Sequence, residues 1–400
     1  MGILIKKGPA LAFSGMAKLG LVAFIVSFSS ALTNTVWAVY IKGFVGSEVY
    51  VGVVSAFLTL IAFASYFFFI PVVEKYDKSK IFYYALALAI PFYALMFFAK
   101  NIYMFLAISF FITVLFTLRI TSFGIIVKDR SKKGQLSGNE GFLYSFMNLS
   151  WVIAPLIGGY LASSLGSRYV FLFASLFLLF GLVTFKAVKI RDSRVKKNID
   201  SNIKKNFMEF FKDRDRFFAY VLGAGVVMWF TLIYLFMPLY IIKSGLDELW
   251  IGYFLFAISV PLIFTEYKFS KMASKFGFKK LFMTGFMFAG LIAIACFYAP
   301  NIYWIMVLLV ISSFGMAMVE PTVEAYFFDV LKKGESSRFY GPYNTRADVG
   351  GLIARVLATI LLVFLPFEYL FLLFAAFMFA MLFFVWRMRD IVESESEKVI

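Results

Sequence analysis

Glu320 and Glu324 stand four residues apart in an otherwise apolar stretch, with Pro321 between them. Four residues are about one helical turn, so the two carboxylates share a helix face. Two acids that close in a medium of low dielectric resist simultaneous ionisation, and an acid that keeps its proton can exchange it. Arg346, Asp348 and Arg355 follow in the next apolar stretch, and Arg119 stands in an apolar stretch of the first half. Inserting such a residue into a bilayer costs about 2.5–3.5 kcal/mol, and it usually faces a protein interior or an aqueous path. The chemistry within reach is proton exchange at the acids and charge pairing or anion binding at the arginines. Asn34 and Asn148 add neutral amides, each suited to a cavity or to a hydrogen bond between helices. The chain has no His, which leaves proton exchange near neutral pH to carboxylates. Cys296 is the only cysteine, so neither an internal disulfide nor a cysteine-rich metal cluster is expected, and no cofactor is implied.

The elements that hold these residues are membrane-length. Of 400 residues, 62% are hydrophobic and 16% charged, against about 45–50% and 25% in soluble domains. The expected solvent is therefore lipid. A membrane helix needs about 20 mainly apolar residues. Such stretches fall at 19–41, 49–73, 81–99, 102–127, 141–164 and 169–185, and again at 217–242, 249–265, 281–299, 302–328, 341–365 and 369–386; these are spans 1 to 12. Ala299-Pro300-Asn301 supplies the turn that divides the uncharged run Leu281–Val319. The first stretch is too long for a signal-peptide core and reads as span 1.

An even number of spans puts both termini on one side. Of the 39 Lys and Arg residues, 32 lie in the tails and in the connections after the even-numbered spans up to span 10. Positive charge marks the cytoplasmic side, so both tails are expected there, with the chain a multi-pass protein of the cell membrane. The formal charge of +16 is accordingly a topology signal, and no nucleic-acid partner is expected.

The chain also repeats itself at an offset of 200 residues. Tyr40-Ile41 meets Tyr240-Ile241, Glu48 and Gly52 meet Glu248 and Gly252, and Asn101-Ile102-Tyr103 meets Asn301-Ile302-Tyr303. Gly141 meets Gly341, Ile153-Ala154 meets Ile353-Ala354, and Tyr169 and Phe171 meet Tyr369 and Phe371. The expected fold is an all-α membrane protein, with twelve transmembrane helices in two pseudo-symmetric six-helix halves: residues 1–185, a charged cytoplasmic linker 186–216, and residues 217–400. Phe207, Met208, Phe210 and Phe211 in the linker fit a short helix lying on the membrane surface, and its charge fits a solvated strand of no fixed structure equally well.

Two six-span halves joined by a basic loop resemble the major facilitator superfamily over nearly the whole chain. After span 2 that family carries a pattern like G-x-x-x-D-R-x-G-R-K. Here Glu74-Lys75-Tyr76-Asp77-Lys78 keeps the alternating charge without the glycines. Span 5 is similar to the export-associated pattern G-x8-G-x3-G-P-x-x-G-G through Gly141, Pro155, Gly158 and Gly159, with Ser150 and Ala154 replacing two glycines. Small residues here equally serve close helix packing. Arg119 followed by Gly124 is similar to the span 4 arginine of drug–proton antiporters, one residue further apart. In the family, spans 1, 4, 7 and 10 line a central cavity, which implies that Arg119 and the two glutamates face each other across the pseudo-axis.

The charges within spans admit three roles: an ion-pair clamp of Glu324 or Asp348 with Arg346, proton coupling, or direct substrate contact. No phosphate-cradling loop and no catalytic cluster accompany them, so an enzyme is not expected. The reading that follows is a secondary transporter of a small molecule, working as a monomer in the lipid bilayer. Proton-coupled export is the first form. Uptake of an anionic or polar solute is the second, and a non-transporting receptor on the same fold is the third.

Overall fold

The computed structural model describes residues 10–130, 136–188, 203–332 and 335–390. Among them are twelve helices long and apolar enough to cross a membrane, and no strand. The first half runs through Ala10–Val45, Glu48–Lys75, Lys78–Met96, Ile102–Arg130, Leu136–Leu165 and Ser167–Ala187. A short linker helix, Ile203–Lys212, precedes the second half. There span 7 is Arg214–Lys243, and spans 8 to 10 are Glu248–Phe276, Phe278–Phe297 and Ile302–Asp329. Span 11 follows as Arg346–Phe364 and span 12 as Tyr369–Arg387. The end of the bundle bearing both tails and the linker is called here the tail face, and the opposite end the far face.

Local chemistry sets the boundaries. Ser47, Asp77 and Asp213 cap spans 2, 3 and 7 by accepting backbone N–H groups. The repeated Asn-Ile-Tyr is a cap as well: the Asn101 side chain accepts from the Met104 amide, and the Asn301 side chain from those of Tyr303 and Trp304. Within a span the backbone satisfies itself, as lipid requires. Large side chains such as Phe68, Phe264 and Phe364 stay exposed on the outer surface, where lipid replaces water.

The helix pairings repeat. Span 1 packs on spans 5 and 6, span 3 on spans 4 and 6, and span 2 on span 4. Span 7 packs on spans 11 and 12, span 9 on spans 10 and 12, and span 8 on span 10. Each pairing of the first set becomes one of the second when 200 is added. Side chains follow: Tyr40 lies against Phe171 as Tyr240 lies against Phe371, and Phe97 against Tyr169 as Phe297 against Tyr369. The bundle is two pseudo-symmetric six-helix halves.

Two elements differ from the sequence reading. The stretch 341–365 is not one helix: Ser336–Asn344 forms a separate short helix, and span 11 begins at Arg346. Thr345 turns its hydroxyl back to the Pro342 carbonyl at 2.7 Å, a local bond that competes with the backbone ladder. Span 7 contains a π-helical turn at Leu232–Phe236. Pro238 lacks the N–H that the Tyr234 carbonyl would accept four residues on, and the ladder widens there, with the Met237 amide donating to Leu232.

Candidate functional site

Where the halves meet, small residues allow close approach. A Cβ on Gly159 in span 5 would stand 2.7 Å from the Glu248 carbonyl and 2.8 Å from the Gly252 Cα in span 8. At the related seam, a Cβ on Gly52 in span 2 would run into the Thr359 hydroxyl of span 11. Ser163 donates to Asp247 at 2.6 Å and Ser167 to Glu248 at 3.3 Å, tying spans 5 and 6 to span 8 at the far face. The far-face part of span 1 packs on the π turn and the last segment of span 7. Trp151 of span 5 meets Tyr234 of that turn edge-on at 5.4 Å.

Of the span 5 residues singled out in the sequence, Gly158 packs against span 1 at the Leu32 carbonyl and Thr35, and Gly159 against span 8. Pro155 is buried, and its carbonyl faces Gly252. Asn148 is exposed on span 5 without a hydrogen-bond partner among the described residues. After span 2, Asp77 caps span 3 by accepting from the Lys80 amide at 2.9 Å. Lys78 is buried at the start of that helix, while Lys75 is exposed beside the Tyr76 ring. Glu74 lies outside the residues whose side chains are described, as does Gly141.

Arg119 is buried, at 4% exposure. It donates to the Ser30 hydroxyl of span 1 at 3.0 Å and lies beside the Tyr93 hydroxyl of span 3. Thr33 of span 1 is also close to Tyr93. The Phe116 ring lies 5.1 Å from the guanidinium carbon. These partners all belong to the first half. Among the described residues no carboxylate comes within ion-pair distance of Arg119.

In the second half, Glu324 accepts from the Tyr340 hydroxyl at 3.2 Å and faces Arg346 at 4.0 Å. Arg346 stacks on the Tyr343 ring, 3.8 Å from its centre, and its stem occupies the space left by the missing side chain of Gly223 in span 7. Of the pairings considered for the clamp, Glu324 with Arg346 is the one formed, and both partners belong to the same half. Glu324 thus turns toward Arg346 rather than Arg119. Glu320, one turn deeper, approaches Tyr234, whose hydroxyl lies near Ser259 of span 8. Span 10 stays helical through Pro321. Asp348 and Arg355 feel each other along span 11, two turns apart, and Asp348 also approaches Tyr66 of span 2. The Arg355 Nε is buried with no hydrogen-bond partner.

Sequence reasoning missed Tyr93, Tyr234, Tyr66 and Tyr340. Tyr340 donates its hydroxyl to Glu324, and the other three lie near a charged side chain inside the bundle. The only signal available was a tyrosine within a span, and 22 tyrosines dilute it.

The linker helix docks on the second half. Phe210 is fully buried among Tyr220, Phe327 and Phe339. Arg338 donates to Asn206 at 2.7 Å and to Glu209. Phe207 meets Phe67 of span 2 at 5.2 Å, the one ring contact described from this helix to the first half.

A family profile described as Major Facilitator Superfamily matches residues 19–267 and 263–399. No curated protein matches the chain by sequence. Among solved structures, a POT family transporter in complex with a thioalcohol-conjugated peptide aligns with a TM-score of 0.78 at 12% identity, covering 93% of this chain and 95% of that one. The nucleoside transporter NupG aligns at 0.72 and 11% identity, covering 93% and 99%. A bacterial homolog of the human lysosomal transporter Spinster, inward-facing and unoccupied, aligns at 0.68 and 12% identity, covering 94% of each. At these identities the likeness is one of fold.

Proposed function

This chain belongs to the major facilitator superfamily, and on that premise we propose that it is a secondary active transporter, carrying a small molecule across the cell membrane by alternating access. Residues 1–185 and 217–400 are the two bodies that rock, and 186–216 is the cytoplasmic linker between them. Both termini lie in the cytoplasm, where positive charge collects. A single copy suffices, since each half supplies the other's partner surface.

The observation that supports this best is where the halves touch. Gly159 on Gly252 and Gly52 on Thr359 lie in the far-face parts of their spans, while Arg119, Glu324 and Asp348 lie toward the tail face. Bodies that meet through backbone and small residues can pivot there with little change in contact, and the polar groups between them are then offered to each side in turn. Glu320 and Glu324 take the role of proton exchange, and Arg346 answers changes of charge on Glu324. Pro155, Gly158, Gly159 and Pro321 shape the moving helices. The span 5 glycines favour export as the direction.

The test is flux in proteoliposomes under an imposed pH gradient, using a cargo found by a thermal-shift screen of metabolites and drugs, because binders raise apparent stability. Replacing Glu320 and Glu324 together by Gln abolishes pH-driven flux under this reading, and undiminished flux ends it. Introduced cysteines report access separately, because Cys296 is the only native cysteine and is buried. Cargo-dependent labelling at both faces excludes a static receptor.

One observation favours the second reading, movement of an anionic solute. Arg119 is buried without a carboxylate beside it.

A further inference from the structure

The arginines at 119, 346 and 355 differ in their surroundings. Arg346 faces Glu324, and Arg355 feels Asp348 on its own helix. Among the described residues Arg119 has hydroxyls and a ring beside it: Ser30, Tyr93 and Phe116. The primary structure reinforces this. In residues 1–188 the acidic residues are Glu48, Glu74, Asp77, Asp129 and Glu140, all at or near helix ends. Asp129, ten residues along span 4, is about 15 Å away by helical rise. Among the described residues no carboxylate neutralises Arg119, and a buried charge without a counter-ion is costly. A guanidinium has five N–H donors, arranged to match a two-oxygen anion, and two hydroxyls leave most of them for another acceptor.

Span 1 carries a second group on the same side. Asn34 is one turn beyond Ser30, on the same helix face, half-buried and without a hydrogen-bond partner among the described residues. Its repeat partner, Tyr234, occupies the π turn of span 7. Resting on the transporter reading above, we propose that Arg119, Ser30 and Asn34 form an anion subsite that binds the carboxylate of a singly charged organic solute. Arg119 supplies the charge and the forked donors, Ser30 orients the fork, and the Asn34 amide donates to the second oxygen. One unpaired cation balances one negative charge. At alkaline pH, where inorganic phosphate is a dianion, it would leave a charge uncompensated in low dielectric, so under that condition a monocarboxylate fits and phosphate does not.

The experiment is thermal unfolding of the purified full-length protein with acetate, lactate, benzoate or decanoate, each at constant ionic strength in chloride. Benzamide, the uncharged counterpart of benzoate, and inorganic phosphate are run alongside, all at alkaline pH. The expected result is that at least one monocarboxylate raises the melting temperature in a saturable way, while benzamide and phosphate do not. Arg119→Gln raises the half-saturating concentration at least about tenfold, the loss of one charge-assisted pair. Asn34→Ala raises it by a smaller factor, and Lys100→Gln, at an exposed position of the far face, leaves it unchanged. Should Arg119→Gln fail to fold, Arg119→Lys keeps the charge without the fork and still weakens binding severalfold. A flat response to all four acids overturns the proposal, as does an equal response to benzamide or saturation unaltered by either Arg119 variant. Cysteine accessibility at the two faces is scored separately. Access that never changes sinks the transporter reading even where the acids bind, and charge-independent binding with changing access sinks only the anion subsite.

Discussion

Gly159 and Gly252 touch across the seam between the halves, and adding or subtracting 200 carries that contact onto Thr359 and Gly52 at the other seam. The duplicated sequence thus produces two related close contacts, one glycine on glycine and one glycine on threonine. A side chain at Gly159 or Gly252 meets backbone, which cannot yield as a flexible side chain can. Gly252→Val is expected to cost about 1–3 kcal/mol, the usual range for overpacking. It lowers the melting temperature and loosens the far-face contacts Ser163–Asp247 and Ser167–Glu248. Gly43→Ala is the control, because a Cβ there meets nothing within 4 Å. Equal melting temperatures for the two variants would refute the tight contact.

Glu324 and Arg346 form a half-exposed pair at 4.0 Å, inside one half. Such a pair contributes modestly, because water screens it. A double-mutant cycle with Glu324→Gln and Arg346→Gln, read by melting temperature, is expected to give a coupling of about 0.5–1 kcal/mol that falls as salt rises. A coupling above about 3 kcal/mol would mark instead a desolvated pair whose partners depend on each other to stay buried.

Much of this arrangement was legible in the amino-acid sequence, and the reason is lipid. A span must satisfy its own backbone, so length and apolarity delimit it almost without reference to its neighbours. The correspondence of Tyr40 with Tyr240 and of Phe171 with Phe371 was open to reading because the same residues recur at one offset; that each Tyr packs on its Phe was not. The partners of Arg119 were not. Ser30, Tyr93 and Arg119 come from three spans and meet only through packing, and hydropathy is silent on which face of a span turns inward. The start of span 11 at Arg346 was hidden because Thr345 lies in the polar stretch from Tyr343 to Asp348, where hydropathy marks no helix boundary. Pro238 did not announce the π turn of span 7, since Pro91, Pro155, Pro261 and Pro321 also lie within spans and leave them α-helical.

Phe210 decides between the two readings of the linker. It is fully buried among Tyr220, Phe327 and Phe339, which a solvated strand would not allow. Phe210→Ala is expected to cost about 3–5 kcal/mol if the helix stays docked, or to undock it at smaller cost. In either case protease cleavage near Lys212 accelerates. Met208→Ala, at an exposed position of the same helix, leaves the cleavage rate unchanged. Equal rates for the two variants would show that the docking of Phe210 does not hold the helix.

Pro238 offers a test of whether the π turn serves transport rather than stability. The turn places Tyr234 against Trp151 of the other half and near Glu320, so its widened backbone sits where the two bodies and the acid meet. Restoring an N–H with Pro238→Ala returns a donor to the Tyr234 carbonyl and favours a regular helix, which rotates the residues before it by roughly a third of a turn per inserted residue. The melting temperature is therefore expected to hold or to rise, because a hydrogen bond of about 1 kcal/mol is gained. Flux is expected to fall, because Tyr234 leaves Trp151. Tyr234→Phe separates the parts: it keeps the ring contact while removing the hydroxyl, so a loss of flux in that variant assigns the effect to the hydroxyl. If Pro238→Ala instead lowers stability and flux in proportion, the π turn is a feature of packing, and the link between the acid of span 10 and the seam between the halves must run through another residue.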